Sequence, residues 1–159
     1  KAVASAGGVS RPRLDARLRQ GEAAGAFEAG SFDKVLLDPP CSAMGQRPLL
    51  RWGQSLRDVQ EHAGYQRQLL RSAARLVREG GEVVYSTCTL MPEENEENVR
   101  WALDELPLQL ADAREHVLKG EAGSALAGLA GCGLDEEERR RVLRFRPAEW
   151  DLGFFIARF

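Results

Sequence analysis

The stretch Phe32-Asp33-Lys34-Val35-Leu36-Leu37-Asp38-Pro39-Pro40-Cys41 decides the fold. Lys34 to Leu37 has the length and apolar character of a short buried strand. Pro39 and Pro40 cannot donate to a strand ladder, so the strand stops at Asp38. A second run, Glu82 to Ser86, reads as the next strand and leads into Thr87-Cys88-Thr89. Between them Leu56, Val59, Ala63, Leu70, Ala73 and Val77 recur near helical spacing. This predicts a helix from Ser55 to Arg78, opened by a Ser55–Asp58 capping pair, weakened or broken at Gly64, and stopped by Gly80-Gly81. Strand, helix and strand make a parallel unit, and ligands of an open α/β sheet collect at the carboxyl ends of its strands. Cys41, Cys88 and Asp38 therefore share one edge, and two thiols with a carboxylate make a site for covalent chemistry on a base.

Outward from this unit, the chain turns at Met91-Pro92 and enters a helix with an acidic first turn of Glu93, Glu94, Glu96 and Glu97. That turn reads as solvated and matched to the helix dipole. Val99, Ala102, Leu103 and Leu106 form the stripe of this helix, Leu108 to Leu110 a brief strand, Asp135 to Leu143 a further helix, and Gly153 to Ala157 a last strand. Residues 1–30 are rich in Ala, Gly and Arg and read as a loose segment, with a helix around Leu14 to Arg19. The division is thus a loose segment, 1–30, and a partial α/β domain, 31–159.

With 43% apolar residues, 159 residues suffice for one buried core. A net charge of −2 excludes a bulk nucleic-acid binder, although nearly all the positive charge is arginine, the residue suited to phosphate and base contacts. Three cysteines without framework spacing argue against a secreted disulfide scaffold. No apolar run has the length of a membrane span, and no Cys or His pair has zinc-ligand spacing. The expectation is a cytoplasmic protein with no membrane and no metal partner. Folds of this kind hold a nucleotide-like cofactor at a glycine-rich turn after their first strand. Gly7 and Gly8 are the only clustered glycines before Asp38, and no apolar strand precedes them. The amino-terminal, cofactor-binding half is expected to lie outside these residues.

Leu37-Asp38-Pro39-Pro40-Cys41-Ser42-Ala43-Met44-Gly45-Gln46-Arg47-Pro48 resembles the fourth motif of the Sun-domain RNA cytosine-5 methyltransferases, usually Asp-Ala-Pro-Cys-Ser-Gly. Tyr85-Ser86-Thr87-Cys88-Thr89 with Pro92-Glu93-Glu94-Asn95-Glu96 is similar to the sixth motif and the helix that follows it. Gly153-Phe154-Phe155-Ile156-Ala157 is similar to the last strand. The Gly45-Gln46-Arg47-Pro48 extension most resembles the branch acting on the acceptor end of transfer RNA. The resemblance implies the carboxyl-terminal half of a Rossmann-like S-adenosylmethionine-dependent methyltransferase sheet with helices on both faces.

It also implies a reaction. A thiolate adds to carbon 6 of cytosine and makes carbon 5 nucleophilic toward a sulfonium methyl group. The base must leave its stack to reach such a pocket. By resemblance Cys88 is the attacking thiol, Cys41 assists product release, and Asp38 contacts ring N3 or positions the cofactor beside Pro39 and Pro40. Arg47 and Thr87 are candidates for RNA contact, a structural ion pair being the alternative for Arg47. Cys132, His62 and His116 fit no role.

Pro39 stands where the family usually has Ala, and Ala43 where it usually has Gly. Proline removes a donor and alanine resists positive φ. Without its upstream half the chain is expected to bind S-adenosylmethionine poorly. Two further readings stay open. One is a non-catalytic remnant that binds RNA or a partner. The other is an amino-methylating enzyme of the Asp-Pro-Pro-Tyr type, but that motif needs an aromatic where Cys41 stands.

Overall fold

A computed structural model describes residues 2–5, 27–48, 53–117, 125–147 and 152–159. Its elements are β1 (Ala2–Ser5), β2 (Phe32–Leu37), α1 (Leu56–Leu76), β3 (Val77–Thr87), α2 (Glu96–Glu105), α3 (Arg114–Val117), β4 (Ala125–Leu126), α4 (Glu136–Arg141), β5 (Leu143–Phe145) and β6 (Phe154–Arg158). A single turn of 3-10 helix, Pro92–Glu94, precedes α2. One sheet runs in the order β1-β2-β3-β6-β5-β4. Among the described residues only the β2–β3 pair is parallel; every other neighbouring pair is antiparallel. β1 lies within the segment read as loose, and the helix expected around Leu14 to Arg19 lies outside the described residues.

Register aligns the apolar rows. Val35 sits beside Val83, Leu37 beside Tyr85, Tyr85 beside Ala157, and Thr87 beside Phe155. Strand residues alternate between faces, so these rows form one buried face. α1 packs across β2 and β3 and against α2, closing that face with Leu70, Ala73, Leu76, Val99 and Ala102. The other face carries Leu36, which stays 40% exposed, and the end of β2 that leads into Asp38.

α1 starts as expected. The Ser55 hydroxyl accepts from Asp58 N, and the Asp58 carboxylate accepts from Ser55 N at 2.7 Å. The helix is not broken at Gly64. Its buried row of Val59, Ala63, Gln66, Leu70, Ala73 and Leu76 runs through that point, so tertiary packing outweighs the propensity cost of one exposed glycine. Leu56, counted in the expected stripe, is 57% exposed.

Gly80-Gly81 does not stop the helix. Val77 caps it in extended geometry, and the glycines lie inside β3 where the pairing slips from Phe32–Val77 to Lys34–Glu82. Gly80 takes a φ of 69° there, and a Cβ on Gly81 would stand 2.7 Å from the Asp33 carbonyl oxygen. The pair builds a bulge. Leu108 to Leu110 forms no strand, the local contact being a single bridge between Ala111 and Arg158. α4 is shorter than expected, with Asp135 as its cap. Among the described residues no helix is long and apolar enough to cross a membrane.

Candidate functional site

β2 and β3 run parallel, so their carboxyl ends bring Cys41 and Cys88 to the same edge. The two sulfurs lie 3.3 Å apart, both half-buried. Asp38 is exposed at the end of β2 and accepts a hydrogen bond from the Ser86 hydroxyl at 3.2 Å. Pro39 is buried and Pro40 exposed. The expected trio is therefore assembled.

The sulfurs are not equivalent. The two sulfurs share one S–H···S hydrogen bond; with Cys41 as its donor the Cys88 thiol falls from 9.0 to about 7 against the opposing cost of burial, with help from the Gln46 amide. Cys41 moves upward, because its hydrogen bond to Cys88 and its burial both favour the protonated form. The shared contact thus favours the thiolate at Cys88 and the thiol at Cys41.

Each cysteine is fixed through its neighbours. The Pro40 carbonyl accepts from Gln66 Nε2 at 3.0 Å, and Ser42 N donates to Glu94 Oε2 at 3.0 Å. Gln66 Nε2 also donates to Glu94 Oε2 at 2.7 Å, so one fully buried pair grips both sides of Cys41. Around Cys88 a single side chain does the same. Asn95 Oδ1 accepts from the Thr87 hydroxyl at 2.6 Å, and its Nδ2 donates to the Thr89 carbonyl at 3.1 Å. Asn95 precedes α2 but makes no side-chain cap; its amide serves the cysteine turn instead. Ser42 and Thr89 hydroxyls, 2.6 Å apart, tie the two turns together.

A buried layer supports these grips. The Tyr85 hydroxyl donates to the Glu94 carbonyl at 2.6 Å, and Asn98 Nδ2 donates to Gln66 Oε1 at 2.9 Å. Burial pushes the Tyr85 phenol well above its ordinary value, which keeps it a donor. Arg144 on β5 meets the Glu96 carboxylate at 2.6 Å, with both side chains buried, and its Nη1 holds the Leu90 carbonyl at 2.9 Å. Hydrogen bonds to charged groups contribute roughly 1.5–3 kcal/mol each, so this layer makes the cysteine edge stiff.

The acidic run corrects the sequence reading most. Glu94, Asn95 and Glu96 are fully buried rather than solvated. Three of their partners, Ser42, Gln66 and Arg144, are distant in sequence, so local pattern could not place them. Thr87 is likewise fully buried and spent on Asn95; its side chain supports the Cys88 turn and does not face a substrate. Arg47 is exposed, its guanidinium donating to the Gln46 carbonyl at 2.8 Å. Cys132 lies apart from the edge, donating to the Ala130 carbonyl at 3.6 Å. Gln66, Glu94, Asn95 and Gln46 were not singled out as site residues. The available signal was a polar residue in an apolar helical row at Gln66, and for Glu94 and Asn95 their place just after the Cys88 motif.

Comparison with known proteins identifies the family. The family described as 16S rRNA methyltransferase RsmB/F matches residues 11–159. An Arabidopsis thaliana rRNA (cytosine-C(5))-methyltransferase, NOP2C, is 45% identical over 151 residues, covering 89% of this chain and 24% of that protein. The Mus musculus tRNA (cytosine(72)-C(5))-methyltransferase NSUN6 is 41% identical over 122 residues, covering 77% of this chain and 24% of its own length. The crystal structure of NSun6 from Pyrococcus horikoshii with SFG superposes with a TM-score of 0.59 at 37% identity, covering 77% of this chain and 28% of that one. The chain thus spans about a quarter of the length of these relatives.

Proposed function

The chain belongs to the RsmB/F family of RNA methyltransferases, and from that premise we propose that it carries the two-thiol edge of an RNA cytosine-5 methyltransferase acting on tRNA. The observation that carries the proposal is the 3.3 Å contact between Cys41 and Cys88 at the end of the parallel strand pair. Support for tRNA comes from the named activity of the NSUN6 relative and from the Gly45-Gln46-Arg47-Pro48 extension.

The chemistry follows from the asymmetry of the thiols. Cys88, whose thiolate the Cys41 contact favours, adds to carbon 6 of a cytosine turned out of its stack. The ring's double-bond electrons move toward carbon 5 and N3; N3 takes up a proton from solvent, and Asp38 accepts the hydrogen bond of that N–H until the ring double bond re-forms and the proton returns to water. Once carbon 5 carries its methyl group and has lost its proton to water, the electron pair re-forms the ring double bond and expels Cys88. Cys41 still holds its proton beside that sulfur. The hydrogen bond that stabilises the thiolate before attack also stabilises it as a leaving group. This accounts for a nucleophile and a release residue separated by one S–H···S contact.

The residues present fit one side of an S-adenosylmethionine site. An exposed carboxylate, Asp38, and an exposed ring, Pro40, end β2 where a positively charged donor would lie. When bound, the cofactor supplies an electrophilic methyl group. The SFG-bound relative supports that choice.

The test is adduct trapping with a tRNA acceptor stem and, in parallel, a 16S rRNA fragment. Cys41→Ala is expected to accumulate a denaturation-resistant protein–RNA adduct with the tRNA substrate, absent from the Cys41→Ala/Cys88→Ala double variant. Turnover retained in Cys88→Ala would point to amino-methylating chemistry and end the proposal. Adduct on the rRNA fragment alone would overturn the tRNA assignment.

A further inference from the structure

We infer that Gln46 is a positioning residue for the attacking sulfur, its side-chain amide holding Cys88 as a thiolate aimed along the strand edge. The inference deepens the function proposed above and rests on Cys88 being the nucleophile. Gln46 Nε2 lies 3.6 Å from Cys88 Sγ, within reach of an N–H···S hydrogen bond to the large sulfur atom.

Gln46 is exposed, but the backbone around it fixes where its side chain starts. Gly45 N donates to the Cys88 carbonyl at 2.9 Å, Gly153 N donates to the Gly45 carbonyl at 2.7 Å, and Gln46 N donates to the Ala43 carbonyl at 3.1 Å. The residue before Gln46 is thus pinned to the main chain of Cys88 itself and braced from behind by Gly153. A Cβ at Gly45 would stand 2.5 Å from the Gly153 oxygen and 2.8 Å from the Cys88 oxygen, so only glycine permits this approach. The side chain that follows falls over the sulfur.

A primary amide suits the position. It donates a hydrogen bond to the charged sulfur but carries no proton that titrates in the working range. It cannot compete with Cys41 as acid, nor with Cys88 as nucleophile. The favourable effect of Gln46 on the ionised form of Cys88 follows directly from this donor geometry. Cys41 and Gln46 together supply two donors to one sulfur. Cys41 is needed again at release, whereas Gln46 acts only through the thiolate it orients.

The experiment reads the sulfur and requires neither RNA nor cofactor. Alkylation of Cys88 by iodoacetamide is followed against pH by peptide mass spectrometry, with Cys132 in the same sample as reference. The unsubstituted chain is expected to show a Cys88 midpoint near 7. Gln46→Leu moves it up by about one unit, cutting the thiolate fraction at pH 7 roughly fivefold. Gln46→Glu moves it further than Gln46→Leu, because a carboxylate repels the charged sulfur. Gln46→Asn, too short to reach, follows Gln46→Leu. A Cys88 profile unchanged in Gln46→Leu and Gln46→Glu overturns the inference. So does an equal shift in both accompanied by a shift at Cys132, which marks a general disturbance. Failure of adduct trapping with these midpoints still displaced would sink the nucleophile assignment and leave the Gln46–Cys88 contact standing.

Discussion

Gly45→Ala is the sharpest perturbation of the site. The new methyl group would meet the Gly153 oxygen at 2.5 Å, the Gly153 carbonyl carbon at 2.9 Å and the Cys88 oxygen at 2.8 Å, all backbone atoms that cannot swing aside. Regaining ordinary contact requires a displacement of roughly 0.9 Å between the chain segments. Two hydrogen bonds span that gap, Gly45 N to the Cys88 carbonyl and Gly153 N to the Gly45 carbonyl. Their loss costs about 1 kcal/mol each. Residual crowding adds about 1 kcal/mol. The sum, about 3 kcal/mol, lowers the thermal midpoint of a domain this size by roughly 6–12 °C. Urea titration measures the free energy, and Cys88 alkylation measures the site, whose midpoint should rise because Gln46 is carried away from the sulfur. Gly64→Ala is the control. No atom lies within 4 Å of its added methyl group, so the substitution should stabilise the exposed helix surface by about 0.8–1 kcal/mol. The reasoning is refuted if Gly45→Ala unfolds within about 0.5 kcal/mol of the parent, the scatter of ordinary surface changes, with an unchanged Cys88 profile.

Four other outcomes follow from the same geometry. Ala43 holds a φ of 57°, so Ala43→Gly relieves left-handed strain. After the entropy cost of glycine in the unfolded chain, it should stabilise by about 0.5–1 kcal/mol in urea, and a net loss would contradict the assignment. Arg144→Met strands the buried Glu96 carboxylate and frees the Leu90 carbonyl, costing about 3–5 kcal/mol. The Arg144→Met/Glu96→Met double variant should recover part of that loss, and a single-variant cost under about 1 kcal/mol would show that the pair bears no strain of burial. The third concerns pH. Folding lowers Cys88 from 9.0 to about 7, so its contribution to stability is full above pH 9 and is lost as pH falls through 7. Cys41, shifted upward, acts in the opposite sense above pH 9. The urea midpoint should therefore rise from pH 7 to pH 9 more steeply in the parent than in Cys88→Ser. Cys41→Ala should raise the Cys88 alkylation midpoint more than Gln46→Leu, since Cys41 is the stronger donor to that sulfur.

The strand pair, the helix joining it and the two cysteines at its end were legible in sequence because each depends on local chemistry. Pro39 and Pro40 end a strand wherever they occur, Ser55 and Asp58 cap each other within one turn, and the spacing of Val59, Ala63, Leu70 and Ala73 marks a helix face. What lay beyond sequence was the destination of the polar residues. Gln66 sat in the apolar row without a visible reason, and Glu94 and Glu96 looked like a solvated helix start. The buried state of a carboxylate is decided by partners that can repay its desolvation. Ser42, Gln66 and Arg144 are far away in the chain and meet these acids only after α1, α2 and β5 have packed on the sheet. The same holds for Gln46, whose tie to Cys88 exists only because Gly45 and Gly153 bring separate loops into backbone contact. Sequence alone determined which residues end the strands at the reactive edge. Tertiary structure decided that the two sulfurs meet and which side chains hold them, because hydrogen bonding and desolvation depend on distance in space and not along the chain.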